Sequence, residues 1–372
     1  MRPYFCLLAK PQNIILIALT QVEGVGPIVA KELLEFFGSA EALFNEDPRI
    51  LSSLRKYGKK LAQAIQCRSV VDCAEKELDY MAKEGISPLA ITDDRYPHNL
   101  KNCTDAPIVL FVKGNGKLNE HKSISIVGTR DATNYGREYT EFLIKELSRI
   151  DVAVHSGLAY GIDIAAHKAA IKHNVPTYCT LAHGFDRIYP KRHKSIANRI
   201  LEQGGWISEF ISGTIPMREN FPKRNRIVAG LSDATIVIES ASRGGSLITA
   251  NLANSYSRDV FALPGRRNDE KSAGCNFLIK SSRAHLMESP EDVLQLMGWE
   301  KSKPKVRQAS LFSDLSTFEE HVVKLLKNNS TVTIDEVATK LELPMSKVST
   351  DLLMMEFNGL VRQLPGKNFE LQ

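Results

Sequence analysis

The densest chemistry in the chain runs from Ser208 to Ala250. A basic segment, Phe221-Pro-Lys-Arg-Asn-Arg-Ile, stands ahead of an apolar run, Ala234-Thr-Ile-Val-Ile-Glu, which feeds the glycine-rich turn Arg243-Gly-Gly-Ser-Leu-Ile-Thr-Ala. A strand that ends in glycines at the start of a helix offers unpaired backbone N–H groups to an anion. With Lys223, Arg224 and Arg226 beside Arg243, Gly244, Gly245 and Ser246, phosphate is the anion this pattern predicts. The reading is a protein that handles nucleotides or nucleic acid.

Three further turns carry polar residues at strand ends. In Val127-Gly-Thr-Arg, Arg130 is placed to clamp a phosphate, Gly128 lets the backbone approach it, and Thr129 lies between them. The spacing is not Gly-x-Gly-x-x-Gly, so a nicotinamide cofactor is disfavoured, and no cofactor is expected. In Ser156-Gly-Leu-Ala-Tyr-Gly-Ile-Asp-Ile-Ala-Ala-His, Gly157 opens a turn, and Asp163 and His167 fall i, i+4 on one helix face. That spacing suits a metal or a shared proton, yet no third ligand and no nucleophile accompanies it. A structural hydrogen bond in which Asp163 accepts from and orients His167 under the glycine turn is the expectation, with no metal and no catalytic residue. In Ala182-His-Gly-Phe-Asp-Arg-Ile-Tyr-Pro-Lys-Arg-His-Lys, Phe185 and Tyr189 interleave with Arg187, Lys191, Arg192 and Lys194, and Phe221 repeats the mixture beside Lys223, Arg224, Asn225 and Arg226. Aromatics among cations describe a groove in which bases stack and phosphates are neutralised.

Charge distribution supports a polyanion. The whole chain carries only +5, whereas residues 187–226 hold nine Lys or Arg against Glu202, Glu209 and Glu219, a local surplus of six. Six cysteines show no C-x-x-C pair, which disfavours structural zinc and a disulfide scaffold. The apolar run Ile14 to Leu19 is too short to span a bilayer and follows no secretory n-region, so the reading is a cytoplasmic protein with no membrane partner.

Positioning these turns requires a sheet. With 372 residues and 43% hydrophobic content the chain suits two or three domains. Apolar runs at 124–127, 152–155, 177–181, 206–209, 234–238 and 260–263 alternate with amphipathic segments at 136–149, 162–173, 194–202, 225–230 and 246–255, which predicts an α/β fold: a doubly wound, Rossmann-type parallel sheet over residues 70–299. Residues 1–69 read as a helical module in which Val22-Glu-Gly-Val-Gly-Pro resembles a helix-hairpin-helix turn, with a degenerate copy at Leu54-Arg-Lys-Tyr-Gly-Lys-Lys-Leu. Residues 300–314 read as an exposed linker and 315–372 as a winged helix, three helices followed by a hairpin, whose third helix has Lys347 as its only Lys or Arg.

Together these motifs resemble the DNA-processing protein A family, also called DprA or Smf. The resemblance covers about Ile91 to Met297 with motif order intact, continuing through Leu263-Pro-Gly and Gly274-Cys-Asn-Phe-Leu-Ile, and both flanking modules fit it. It implies a single-stranded DNA-binding recombination mediator, dimeric through its extended Rossmann fold, that loads RecA during natural transformation. By motif, Arg130 becomes the phosphate arginine of the first turn, Lys191 and Arg192 line the groove, and Lys223, Arg224 and Arg226 extend it. The chain departs from the family at Thr129, at His183 and at Ser281-Ser282-Arg283. The alternative is a Rossmann hydrolase of nucleoside monophosphates with Glu239 or Glu209 as its acid. Against it stands Ser242-Arg-Gly-Gly-Ser-Leu where those enzymes carry Pro-Gly-Gly-x-Gly-Thr.

Overall fold

The computed structural model describes residues 11–54, 58–114, 117–299, 316–329, 331–358, 360–364 and 368–371. The linker 300–314, Arg55 to Tyr57 of the second hairpin copy, and Gly359 with residues 365–367 of the C-terminal hairpin lie outside them. The chain divides into two compact units, ending and beginning at Trp299 and Glu300.

The first unit opens with helices α1 (Pro11–Thr20), α2 (Pro27–Phe37), α3 (Ala40–Phe44), α4 (Pro48–Ser53), α5 (Gly58–Gln66) and α6 (Ser69–Glu84). Then follow β1 (Ile86–Ala90), α7 (His98–Lys101), β2 (Val109–Gly114), β3 (Lys122–Val127), α8 (Asn134–Leu147), β4 (Val152–Ser156), α9 (Ile162–Lys172) and β5 (Thr177–Thr180). The unit closes with α10 (Lys194–Gln203), β6 (Gly205–Ser208), α11 (Asn220–Leu231), β7 (Ala234–Val237), α12 (Gly245–Ser255), β8 (Asp259–Ala262), α13 (Ala273–Lys280), β9 (His285–Leu286) and α14 (Pro290–Leu296).

All six strands read from the sequence are present, within a nine-stranded sheet of order β1-β2-β6-β5-β4-β3-β7-β8-β9. The strands from β6 to β9 in that order run parallel, while β2 joins β6, and β1 joins β2, antiparallel. The reading missed this hairpin edge. Pro88 interrupts the strand pattern of β1, and proline is tolerated there because β1 is an edge strand.

Alternation along β3 buries two faces. Ile124 and Ile126 pack with Leu143, Ile144 and Ala166 of α8 and α9. On the other face Val127 packs with Val228 of α11, and the Ser125 hydroxyl donates to the Val228 carbonyl at 2.7 Å. Helices therefore cover both faces, which is why these strands are continuously apolar. The N-terminal helices share a core with the hairpin edge, where Ile17, Leu43 and Met81 join Ile108 and Phe111.

Strand order reverses at β3. The chain moves from β3 outward through β4, β5 and β6, then returns to place β7 on the other side of β3. Diverging connections leave a crevice at the carboxyl ends of β3 and β7, the ligand position in open α/β sheets.

The second unit contains α15 (Thr317–Asn328), β10 (Val332–Thr333), α16 (Ile334–Leu341), α17 (Met345–Phe357), β11 (Val361–Leu364) and β12 (Asn368–Leu371). A three-stranded sheet of order β10-β12-β11 completes the winged-helix plan. Capping boxes start α15 at Ser316 and α16 at Thr333. On α17 the solvent-facing side chains include Leu353, Met354 and Phe357.

Candidate nucleic-acid interface

A cavity of about 220 Å³ occupies the crevice at the β3–β7 reversal. Gly128, Thr129 and Arg130 line it from the turn after β3, and Gly244, Gly245 and Ser246 from the start of α12. The turns are tied together. The Thr129 amide donates to the Glu239 carbonyl at 2.8 Å, and the Ile162 amide to the Thr129 carbonyl at 3.2 Å. At Gly161 φ is +77°, and a Cβ there would lie 2.1 Å from the Thr129 carbonyl oxygen, so only glycine permits the approach. Helix α12 begins at Gly245 behind Gly244, which has no side chain to cap it, and this leaves its first-turn N–H groups and its dipole to an anion. The Ser246 hydroxyl is held by Ser240 at 2.9 Å. Arg243 is exposed beside this cavity but is not among its lining residues.

Helix α11 forms the remaining wall and corrects the reading of the basic segment. The sequence placed the cations ahead of a helix starting at Asn225, in one groove. The helix begins at Asn220, because Pro222 falls in its first turn, where no N–H is needed. Helical periodicity then separates the cations. Phe221, Arg224 and Asn225 face the crevice, whereas Lys223 and Arg226 line a second cavity of about 380 Å³ beside Gly26 and Pro27. Arg226 is buried and bonds the Glu209 carboxylate and the Asp105 carbonyl. Its charge is neutralised within the fold. Lys223 stays exposed.

Arg224 is 5% exposed and closes the floor of the crevice. Its guanidinium lies over Gly157, where a Cβ would fall 1.2 Å from an Nη atom. The Asp163 carboxylate sits 3.9 Å away. Burial pushes the Arg224 pKa down, Asp163 opposes that shift, and Arg130 adds like-charge repulsion. Two arginines thus share a crevice whose one lining carboxylate is Asp163. That surplus, with the dipole of α12, is the electrostatic signature of an anion site.

Arg130 is exposed, makes no ion pair among the described residues, and lies with its guanidinium carbon 5.2 Å from the Phe221 ring centroid. Phe221 in turn meets Tyr189 edge-on at 6.1 Å. Tyr189 is 45% exposed, and Lys191 and Arg192 follow it on an exposed 3₁₀ turn. Residues from three separate motifs therefore form one track of cation, aromatic, aromatic and cations. Phe185, read as a second stacking candidate, packs against Trp206 at 6.0 Å and belongs to the core.

Sequence reasoning noted His183 only as a departure from the family pattern and missed its role. It is buried, its Nδ1 donates to the Gly184 carbonyl at 2.8 Å, and its Nε2 accepts from the Tyr189 amide at 3.2 Å. A neutral imidazole thereby fixes the backbone of the exposed tyrosine, and burial lowers its pKa in keeping with that form. The signal available was its position just past the third strand.

The expected Asp163–His167 bond is not formed. Asp163 accepts from the Ala159 amide at 3.3 Å and faces Arg224, while His167 Nδ1 pairs with the Thr177 hydroxyl at 2.8 Å. The i, i+4 spacing put both on one face, but partners from other elements claimed each. Both candidate acids are likewise engaged. The Glu239 carboxylate accepts from the Thr133 amide at 2.9 Å and from its hydroxyl, which caps the start of α8. Glu209 is bound to Arg226.

Residues 87–298 match the family model described as DNA recombination-mediator protein A, residues 310–367 the DprA winged helix domain, and residues 16–66 the SAM-like helix-hairpin-helix tandem. The chain belongs to the DNA recombination-mediator protein A family. A putative DNA processing protein DprA from Mycobacterium tuberculosis is 33% identical over 325 residues, covering 83% of each chain. The X-ray structure of DprA from Streptococcus pneumoniae superposes with a TM-score of 0.66 at 32% identity, over 78% of this chain and 98% of that one. A Helicobacter pylori DNA processing protein A, whose structure addresses its single-stranded DNA binding mode, gives a TM-score of 0.52 at 29% identity, over 57% and 96% of the two chains. The recombination-mediator match spans the whole track from Arg130 to Ser246. Among the described residues, no helix is long and apolar enough to cross a membrane.

Proposed function

We propose that this chain is a single-stranded DNA-binding recombination mediator, acting by binding rather than turnover. The observation that carries the reading is the continuity of the track: Arg130 over Phe221, Phe221 against Tyr189, then Lys191 and Arg192, beginning at a cationic crevice on a helix start. Aromatic faces spaced among cations accept any base of a single strand, and paired bases within a duplex would not reach them. A lone nucleotide would need only the crevice. The binding named for the Helicobacter pylori relative points the same way. Within this reading the protein works in the cytoplasm as a homodimer, covers incoming strands during transformation and hands them to RecA. The hydrolase alternative loses support because Glu239 and Glu209 are both bound within the fold.

The test is a salt titration of binding to fluorescent oligothymidine, with duplex as competitor. Binding should be selective for the single strand and weaken steeply with salt. Arg130→Ala should lower affinity by at least about tenfold, because a charge-assisted contact contributes about 1.5–3 kcal/mol. It should also reduce the slope of log affinity against log salt by about 0.7, one phosphate's share. Equal affinity for duplex, or an unchanged slope in Arg130→Ala, would refute the assignment. RecA-driven strand exchange on protein-coated DNA tests the loading step separately.

A further inference from the structure

A third and larger cavity, about 900 Å³, opens on the other side of β7, between the start of α8 and the loop 264–272 that follows β8. Its lining includes Thr133, Tyr135, Glu239, Arg266 and Lys271. Nothing in the binding track described above uses it. It is adjacent to the crevice through a single residue: the Glu239 carbonyl binds the Thr129 amide on the crevice side, and its carboxylate binds Thr133 on the cavity side. From Thr129 to Thr133 is four residues, a span of at most about 14 Å.

The loop wall is fixed rather than free. The Ser240 amide donates to the Lys271 carbonyl at 2.6 Å, the Gly274 amide to the Ser240 carbonyl at 2.8 Å, and Asn276 brackets Gly265 with bonds of 3.1 and 2.9 Å. Lys271 also pairs with Asp131 at 2.5 Å across the rim. The cavity is therefore preformed, and its far wall is continuous with the turn that ends at Gly244.

Charge decides what could enter. Asp269, Glu270 and Glu239 outnumber Arg266 and Lys271 in the lining, and Lys271 is already neutralised by Asp131. A phosphate is disfavoured there. An uncharged, planar, hydrogen-bonding group is not, and one wall presents an aromatic face. Tyr135 is 56% exposed and heads a row on α8, with Tyr139 at 6.1 Å and Phe142 at a further 5.9 Å. Tyr139 is half-buried against the core, leaving Tyr135 and Phe142 as the exposed rings on either side of it, and an exposed aromatic face beside a polar cavity marks a binding surface.

We infer that this cavity receives a base of the strand as it leaves the crevice on the side away from Tyr189, stacked on Tyr135, with exposed Arg266 near the following phosphate. The proposal rests on the single-strand reading above and extends the track to both sides of the phosphate crevice.

Three variants of the full chain test it: Tyr135→Ala, Tyr135→Trp and Arg130→Ala. Tyr135→Ala should weaken binding to a long oligothymidine by about five- to 150-fold, the loss of one base–aromatic stack, while leaving unchanged the affinity for one of about four nucleotides, the lower end of a single-strand site. Tyr135→Trp should restore the long-strand affinity. Because Trp206 and Trp299 are both buried, the new indole would be the solvent-facing reporter, and its emission should be quenched by the bound strand. If Tyr135→Ala binds the long strand like the native chain while Arg130→Ala does not, the strand does not enter this cavity and the inference fails alone. A loss shared equally by short and long strands would also overturn it. If neither variant alters binding, the single-strand reading itself has failed.

Discussion

Arg224→Ala should lose about 3–5 kcal/mol of folding stability, while Arg130→Ala, at the mouth of the same crevice, should unfold at the native denaturant midpoint. The two arginines differ in burial. Arg130 is exposed and rests on Phe221. Arg224 is almost fully buried over Gly157, with Asp163 as its counter-charge. Its removal strands a carboxylate whose pKa burial already pushes up against the opposing pull of Arg224 and the Ala159 amide. An uncompensated buried charge is the costly outcome, more than the loss of the pair itself. Adding Asp163→Asn to Arg224→Ala should therefore recover much of the loss, a non-additivity that a double-mutant cycle in denaturant would measure. Gly157→Ala should act in the same direction by displacing the guanidinium. If Arg224→Ala unfolds at the native midpoint, the buried arginine is not a structural element of the crevice. Both arginine variants should weaken DNA binding, so stability separates the floor of the site from its mouth.

What the sequence revealed depended on how local each signal was. Strands β3 to β8 were legible because each is a short apolar run ending in glycine or a polar turn, a pattern contained within about ten residues. Their convergence followed from the rule for open parallel sheets, and the crevice is where that rule puts it. The division of Lys223 and Arg226 from Arg224 was not legible, since it depends on whether Pro222 precedes α11 or lies in its first turn. Phe185 and Tyr189 differ by four positions and share a chemical context along the chain, yet Trp206 claims the first and leaves the second exposed. The i, i+4 spacing of Asp163 and His167 was correct as geometry. Their partners, Arg224 and Thr177, lie on other elements that no local pattern reports.

Acidification should unfold the first unit well before its surface carboxylates account for the loss. His155 lies in β4, stacked on Tyr178 at 5.0 Å, with Nδ1 buried and unpartnered. His167 lies beneath the crevice. Because the Thr177 hydroxyl already donates to the Val154 carbonyl at 3.0 Å, His167 Nδ1 must be the donor to that oxygen, which leaves a bare Nε2 with no partner. A proton added there would find no acceptor and would face Arg224. Burial lowers the His155 pKa from its ordinary 6.5 to about 4, against an opposing pull from Asp233 and with His121 adding to the fall. It lowers His167 to about 3, with His155, Arg224 and His193 acting in the same direction. A folded pKa below the unfolded one means that the unfolded chain binds more protons in acid. The stabilisation is complete above about pH 6.5 and is lost as pH falls toward 4 for His155 and toward 3 for His167, on the order of 3–5 kcal/mol per histidine. Asp163, raised rather than lowered, acts with the opposite sign, so the test needs a substitution that isolates one group. His155→Phe keeps a stacked ring against Tyr178 and removes the titration. Its unfolding free energy, measured in denaturant from pH 7 to pH 5, should fall with a slope shallower by up to about 1.4 kcal/mol per pH unit. An identical slope in the native chain and in His155→Phe would show that this histidine is not held neutral by the fold.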